Sequence, residues 1–229
     1  MRIFMLLSLF LSLSVTAATP ALTPFSAHYT TSYKLGWFTL KIDAVRELKQ
    51  LNNNNWQLTF DASTNGASLN EKSIVHLNDH QLTPVEYHYK TGGLLNKTPL
   101  NITFDKTTQT ITDNNLKTTY SNLWEDNLQD NLSYMLQASI DLSQGKKELH
   151  YPIFKSDYVK TYSFAVSEQE PLKTAIGTLN TLRVERINDK KDRTISAWFA
   201  IDHSYQLVRL TESKKGKTTY EINITKLED

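Results

Sequence analysis

Trp124, Glu125 and Asp126 place two carboxylates beside an indole, just before a segment with helical periodicity. A pair of carboxylates can act as general acid and base on a glycosidic bond, and an indole can stack on a sugar. Two acidic residues at the start of a helix also stabilise its positive end. Both interpretations stay open, and the capping role is the simpler one.

Three histidines, His76, His80 and His88, are the candidates for a metal site. On a strand, residues four apart share a face but lie about 13 Å from each other, too far for both to bind one ion. The chain has no Cys, and it lacks the H-E-x-x-H, G-x-S-x-G, G-x-G-x-x-G and G-x-x-x-x-G-K motifs. We therefore predict no metal, no cofactor and no catalytic residue.

Several aromatic side chains fall at strand positions where solvent exposure is expected. Exposed aromatic rings can stack on sugars or contact a partner, although loops can also cover them. These aromatic residues are Trp37, Tyr87, Tyr89 and Trp198, and Leu132 and Met135 of the predicted helix complete the set of candidate ligand contacts.

Strict alternation of apolar and polar residues dominates the chain. Such a period of two is typical of antiparallel strands with one buried and one solvated face. Short polar turns separate the runs at a spacing of about ten residues, which predicts a meander of eleven or twelve strands. The clearest alternating runs are 25–33, 56–62, 100–104, 149–153, 158–166, 195–201 and 220–224.

One segment, residues 126–142, follows the helical period instead. Asp126 and Gln129 have the spacing of a capping box, and Gly145 is placed to end the helix. The apolar positions that define the helical face are Leu128, Leu132, Met135, Leu136 and Ile140.

One helix cannot cover the apolar face of a dozen strands, because it is only about 10 Å across. We therefore predict a mainly β fold: one large curled antiparallel sheet, open or closed like a barrel, with the central amphipathic helix packed in or over it. A boundary near the helix could separate blocks 25–120 and 147–227, but we favour a single domain over residues 18–229. The interior could hold a ligand or be filled by side chains.

The first 17 residues resemble a cleaved signal peptide. Arg2 precedes an apolar run, and Val15-Thr16-Ala17 provides small residues for cleavage. The run is too short to span a bilayer, and no Cys follows it for lipid attachment. We expect an exported, periplasmic protein that is not a lipoprotein and keeps no transmembrane anchor.

The net charge is only +1, and Arg2 supplies the excess, so the rest of the chain is balanced. A balanced chain has no overall field that attracts nucleic acid, and we expect no such partner. The sequence gives no signal for an oligomeric state.

Several short motifs together resemble a known family. They are Pro24-Phe25-x-Ala27-x-Tyr29 leading to Gly36, the segments 82–87 and 126–141, the segment 174–185, Trp198-Phe199-x-x-Asp202 and Tyr205-x-Leu207-Val208-Arg209. With them the chain resembles an exported bacterial family, domain-of-unknown-function (DUF) family 3108, over nearly its whole length after the signal. Leu207 stands where that family usually has Pro, and a second glycine is missing near residues 37–40. The resemblance implies no activity and no catalytic residues.

The closing hairpin, residues 198–227, is also similar to periplasmic lipoprotein-carrier and lipoprotein-sorting proteins, which are open curved sheets with helices over an apolar cavity. This similarity implies an architecture but transfers no function. Our first hypothesis is a non-enzymatic protein that binds or carries an apolar or amphipathic envelope component, such as a lipid or a lipoprotein acyl chain. The alternatives are a glycan-acting envelope enzyme that uses Glu125 or Asp126, and a structural adaptor for another envelope protein.

Overall fold

A computed structural model describes residues 22–35, 38–52, 54–187 and 192–228, and for residues 32–35 and 38–40 it describes the backbone alone. Within these residues the chain forms one antiparallel sheet of fourteen strands and one α-helix, which confirms the predicted mainly β fold. The strands are β1 (Phe25–Leu35), β2 (Phe38–Gln50), β3 (Asn55–Thr64), β4 (Ala67–Asn78), β5 (Gln81–Gly93), β6 (Leu100–Asp105), β7 (Thr110–Asp113), β8 (Thr118–Tyr120), β9 (Glu148–Phe154), β10 (Val159–Thr174), β11 (Gly177–Ile187), β12 (Arg193–Ala200), β13 (Gln206–Lys214) and β14 (Lys217–Glu228). The helix α1 (Ser133–Ser143) lies between β8 and β9 in the chain.

The sheet consists of two meanders, which are joined by pairing of the first strand of the chain with the last. Strands β1 to β8 pair in order, strands β9 to β14 pair in order, and β1 pairs with β14 in the middle of the sheet. The edges are therefore β8 and β9, the two strands that flank α1 in the chain. The sheet is not closed, because β8 and β9 are not paired to each other.

The helix lies inside the curled sheet and contacts both meanders. Leu136 and Ile140 belong to an apolar cluster formed mainly by β2 to β7, and Ala138 and Leu142 belong to a second cluster formed by β9 to β13. A helix that buries residues on several sides is typical of a core position rather than of a surface. The predicted central helix is confirmed.

The helix begins later than residue 126, because tertiary contacts hold the preceding segment in another conformation. Gln129 pairs with Ile153 of β9 through a backbone hydrogen bond to Pro152 (2.8 Å) and one from Phe154 (3.0 Å). The Asp130 carboxylate then accepts hydrogen bonds from the backbone N–H groups of Leu132 and Ser133, both at 2.7 Å. Asp130, not Asp126, therefore satisfies the first free donors of the helix.

The helix ends at the predicted glycine. Gly145 has a φ of 77°, and its N–H donates to Leu142, while that of Lys146 donates to Asp141. These two bonds form a Schellman motif, in which the left-handed residue is usually glycine.

A third apolar cluster joins the two meanders where their first and last strands meet. Tyr29 of β1 donates its hydroxyl hydrogen to the carbonyl of Leu207 (2.7 Å) and accepts a hydrogen bond from Gln206 (2.8 Å). The buried members of the cluster are Ala27, Tyr29, Ala44, Leu172, Ala200, Val208 and Ile224.

Of the helices in the described residues, none has the length and apolar composition that crossing a bilayer requires.

Candidate ligand-binding cavity

The curled sheet leaves a cavity of about 390 Å³ beside α1, which we call the inner cavity. Strand alternation brings inward-facing residues of both meanders to its wall, because the sheet curls around the helix. Its lining residues are Glu71, Tyr87, Tyr89, Asn131, Tyr134, Met135, Lys155, Tyr162, Phe164, Arg186, Ile195, Leu210, Glu212 and Tyr220.

Two further cavities adjoin the inner cavity. The edge cavity, about 480 Å³, lies between strands β5 to β8 and the turn after β9, and it shares Tyr89, Asn131 and Lys155 with the inner cavity. The apolar cavity, about 120 Å³, lies against strands β1 to β4 and shares Tyr220 with the inner cavity. Cavities of roughly 300–1,000 Å³ are typical of sites for small ligands.

One wall of the inner cavity carries two cations on one aromatic ring. The Lys155 ammonium lies 4.6 Å and the Arg186 guanidinium carbon 3.5 Å from the centre of the Tyr162 ring. Lys155 also donates a hydrogen bond to the side-chain oxygen of Asn131. Burial would raise the pKa of the Tyr162 phenol, but the nearby charges of Lys155 and Arg186 outweigh burial and hold that pKa below its usual value.

The opposite wall carries an acid that already has a partner. The Tyr87 hydroxyl donates to the Glu71 carboxylate at 2.6 Å. Burial raises the pKa of Glu71, and burial together with the Glu71 charge raises the pKa of Tyr87. The other acid of the lining, Glu212, pairs with Arg193 at 2.5 Å. Both carboxylates therefore already interact with side chains of the same chain.

Aromatic rings form the floor of the cavity beside the helix. The Tyr134 ring stacks on Phe164 with 6.2 Å between ring centres and meets Tyr162 edge-on at 5.9 Å. Burial raises the pKa of the Tyr134 phenol, so it stays neutral at physiological pH. With Ile195 and Leu210 these rings give the cavity an apolar surface next to its cationic wall.

The core also contains a buried cation on β2. Arg46 of β2 is only 3% exposed, and its guanidinium carbon lies 5.4 Å from the centre of the Phe25 ring. Neither terminal nitrogen, Nη1 or Nη2, has a hydrogen-bond partner among the described residues. Burial lowers the pKa of Arg46, and the Tyr29 phenol partly opposes that shift.

Three of the six predicted contact residues line the inner cavity, namely Tyr87, Tyr89 and Met135. The two tyrosines face inward because of a β-bulge: Ile74 of β4 pairs with Glu86, whereas Val75 pairs with Pro84. The extra residue reverses the inward parity of β5 between Pro84 and Tyr87. If β5 is taken as a regular strand without that bulge, its alternation places both rings on the outer face of the sheet.

The other three predicted contacts lie elsewhere. Leu132 is buried in the first apolar cluster, and Trp37 falls outside the described residues. Trp198 lies on the face of β12 opposite to Phe199, between the guanidinium groups of Arg183 and Arg209 at 5.7 and 5.8 Å. Its ring is therefore on the outer side of the sheet, away from the cavities.

The acidic pair before the helix does not line any of these cavities. Glu125 and Asp126 are exposed, whereas Trp124 packs against the first apolar cluster. The described residues also hold no group of three or more His, Asp or Glu side chains suited to a metal ion. The geometry needed for acid–base work on a glycan is not assembled at this position.

Sequence reasoning missed Glu71, Lys155, Tyr162 and Arg186. Lys155 lies in a polar turn after β9, where solvent exposure is the ordinary expectation. Tyr162 does follow the inward parity of β10 together with Phe164, and that signal was present in the alternation. The position of Arg186 follows only from the pairing of β11 with β10, where it lies opposite Phe164.

Comparison with solved structures finds bacterial proteins that match over most of this chain. A β-barrel-like protein of the domain of unknown function DUF1849 from Brucella abortus superposes with a TM-score of 0.60 at 12% sequence identity, covering 90% of this chain and 97% of that chain. A protein described as exported, with a YmcC-like fold, from Bacteroides fragilis has a TM-score of 0.38 at 6% identity, over 92% and 98% of the two chains. A protein described as a lipoprotein, from Parabacteroides distasonis, has a TM-score of 0.32 at 13% identity, over 91% and 97%.

The Brucella protein shares the fold of this chain, and at that identity the likeness concerns the fold alone. No curated protein matches the sequence. The family described as a protein of unknown function (DUF3108) matches residues 25–223, which include thirteen complete strands and the helix. This chain therefore belongs to the DUF3108 family.

Proposed function

We propose that this protein is an exported, non-enzymatic binding protein that holds an apolar or amphipathic molecule of the cell envelope inside its curled sheet. The observation that carries the proposal is the inner cavity of about 390 Å³, which continues into the edge cavity at Tyr89, Asn131 and Lys155. The interior of a protein is ordinarily packed to the density of an organic crystal and has few voids larger than a water molecule.

The lining supports an amphipathic ligand over a purely polar one. Phe164, Ile195 and Leu210 offer apolar surface to a hydrocarbon segment, and the adjoining apolar cavity extends that surface past Tyr220. A few polar groups at one side of an apolar pocket are the usual means of fixing the orientation of a ligand.

A route for entry is provided by the open sheet. The edge cavity lies where β8 and β9 leave the sheet unclosed, and it is lined by Leu116, Asp157 and other residues of exposed turns. A ligand that enters there reaches the inner cavity without breaking a strand pair.

Location in the periplasm is part of the proposal and rests on the sequence. The apolar run before residue 17 is typical of a cleaved signal peptide, and no Cys follows it. A chain without Cys needs no oxidising compartment to fold and tolerates one equally well.

Native mass spectrometry tests the proposal directly. The full chain is expressed with its own leader, released from the periplasm by osmotic shock and sprayed without detergent. We expect a population heavier than the mature chain by the mass of a lipid-sized molecule, which denaturing solvent releases. A single species at the mass of the mature chain, together with no fluorescence enhancement of the neutral apolar probe N-phenylnaphthylamine, would contradict the proposal.

A further inference from the structure

We propose that the apolar cavity holds the methyl end of one unbranched hydrocarbon chain of the ligand and limits the length of chain that binds. This inference rests on the proposed function and names the class of ligand as a molecule with a single linear chain. The apolar cavity meets the inner cavity at Tyr220, which lines both, so that one chain can extend from one cavity into the other.

A row of small inward-facing side chains forms the wall of the apolar cavity. The strand registers place Ala44 of β2 beside Ala62 of β3, and Ala62 beside Leu69 of β4. Ile42 belongs to the next inward row of β2 and lines the same cavity. Because the side chain of alanine is a single methyl group, the two alanines leave space that larger apolar residues would fill.

The chemistry of the lining favours a hydrocarbon occupant. Two hydroxyl groups of the wall already have partners in the protein: Tyr29 donates to the carbonyl of Leu207 at 2.7 Å, and Thr31 donates to that of Glu221 at 2.5 Å. Among the described residues that line this cavity, none carries a charge. An ordered water needs about two to four polar partners, whereas an apolar cavity stays dry and can bind apolar molecules.

The size of the apolar cavity favours a chain over a ring system. Its volume is about 120 Å³. An engineered apolar cavity of about 150 Å³ in another protein binds benzene. A space smaller than that accepts the last few methylene groups of one chain, but not a fused ring system or two chains side by side.

Leu95, in the loop after β5, covers the apolar cavity beside the turn between β3 and β4. This loop is held against that turn, because the Leu94 N–H donates to the carbonyl of Gly66 at 2.8 Å. Gly93 has a φ of 65°, and a Cβ at this position would lie 2.0 Å from the Gly66 carbonyl oxygen, so the close approach requires glycine. Leu95 lines the cavity, whereas Leu94 is 87% exposed. Leu95 is therefore the residue that we expect to meet the end of the chain.

Displacement of bound N-phenylnaphthylamine from the mature protein by unbranched primary alcohols, from octanol to octadecanol, tests the inference. We expect the affinity of the wild-type protein to rise about four-fold for each added methylene that enters the cavity. Beyond a certain chain length, which we call the length limit, the affinity should stop rising. Cyclododecanol has the carbon number of dodecanol and should bind about ten-fold or more weakly, as expected if about two methylene groups lose their burial.

Two pairs of variants locate the length limit. Ala62→Phe fills the cavity and should shorten the limit, whereas Asp61→Phe places the same ring on the outer face of β3, where Asp61 is exposed, and should leave it unchanged. Leu95→Ala removes the cover and should lengthen the limit, whereas Leu94→Ala should not. At the wild-type length limit, Ala62→Phe should bind the alcohol about ten-fold or more weakly, the effect of about two methylene groups leaving the cavity. The solubility of an alcohol is the same for every variant, so a shift between variants is a property of the protein.

Three results would overturn the inference and leave the proposed function standing. They are a wild-type affinity that rises without a limit up to octadecanol, a limit that is the same in the wild type and both cavity variants, and equal affinity for cyclododecanol and dodecanol. A protein that binds neither the probe nor any alcohol would contradict the proposed function as well. The thermal transition reports whether each variant is folded; if one cavity variant is not, the other variant and the comparison with cyclododecanol decide the question.

Discussion

The phenol of Tyr162 lies against two cations, and this arrangement is the clearest chemical feature of the cavity. Lys155 and Arg186 both approach the face of the ring, at 4.6 and 3.5 Å from its centre. Both charges lower the pKa of the Tyr162 phenol and outweigh the opposite effect of burial.

Glu71 makes stability depend on pH. Its folded-state pKa lies above the ordinary value of 4.5, so unfolding releases a proton once the pH exceeds that value. The free energy of unfolding then falls as the pH rises through the window between the unfolded and folded pKa values, by at most about 1.4 kcal/mol per pH unit for one group.

Glu71→Gln removes this titration and keeps an acceptor for the Tyr87 hydroxyl. We expect the variant to be more stable than the wild type at pH 7 and the difference to shrink towards pH 4. Urea unfolding of both proteins across this range measures the difference. A difference that does not change with pH would show that Glu71 ionises normally in the fold.

Arg46 is a buried cation whose terminal nitrogens make no hydrogen bond among the described residues. Burying a guanidinium whose terminal nitrogens have no hydrogen-bond acceptor is unfavourable, and an apolar side chain of similar length avoids that cost. We expect Arg46→Met to raise the free energy of unfolding by about 1–3 kcal/mol. Chemical denaturation measures the change, with Arg46→Lys as the variant that keeps the charge; a loss of stability in Arg46→Met would show that the cation is compensated.

At the scale of elements, the C-terminal end of the helix depends on the backbone conformation of Gly145. Gly145 has a φ of 77°, and no atom outside its immediate neighbours lies within 4 Å of the position that a Cβ would occupy. The cost of a side chain at this position therefore comes from the left-handed backbone alone.

We expect Gly145→Ala to lower the free energy of unfolding by about 1 kcal/mol and Gly145→Asn to lower it less, because Asn tolerates the left-handed region better. Both are measured by urea unfolding. Equal stability of the Ala variant and the wild type would mean that the Schellman motif at residues 141–146 is not formed in solution.

Periodicity predicted the long strands and the central helix, because these elements carry at least one full repeat of their pattern. Strands β7 and β8 have only four and three residues, which is too short to show a period. The sheet therefore has more strands than the eleven or twelve that the alternation predicts. The start of the helix depends on the pairing of Gln129 with Ile153, a contact distant in sequence. Local pattern cannot anticipate a tertiary contact of this kind.

The cavity itself was beyond sequence reasoning for a related reason. Which residues face it depends on the register of every strand pair, and one β-bulge opposite Ile74 is enough to turn Tyr87 and Tyr89 inward. The volume depends on how far the sheet curls around the helix. Sequence left open whether the interior is filled, and the inner and edge cavities answer that question.

At the scale of the whole molecule, the site exists only because the two meanders are held together. β1 and β14 pair in the middle of the sheet, and Tyr29 connects β1 to the start of β13 through Gln206 and Leu207. One meander contributes Glu71 and Tyr89 to the inner cavity, and the other contributes Tyr162 and Arg186. The open edges, β8 and β9, leave a way into the interior.

Filling the inner cavity is the most direct test of the central claim that its empty space is a binding site. Leu210 of β13 lines the cavity, whereas Thr211 pairs with Ser196 and Glu221 on the opposite face of the sheet. Leu210→Trp should therefore occupy the cavity, and Thr211→Trp adds the same ring outside it. Ile195→Phe is a second filling variant, since Ile195 lines the same wall.

The measurement is the affinity for N-phenylnaphthylamine, with the thermal transition as the check on folding. The account predicts that Leu210→Trp and Ile195→Phe stay folded and bind the probe about ten-fold or more weakly, while Thr211→Trp binds like the wild type. Undiminished binding in both folded cavity-filling variants would contradict it.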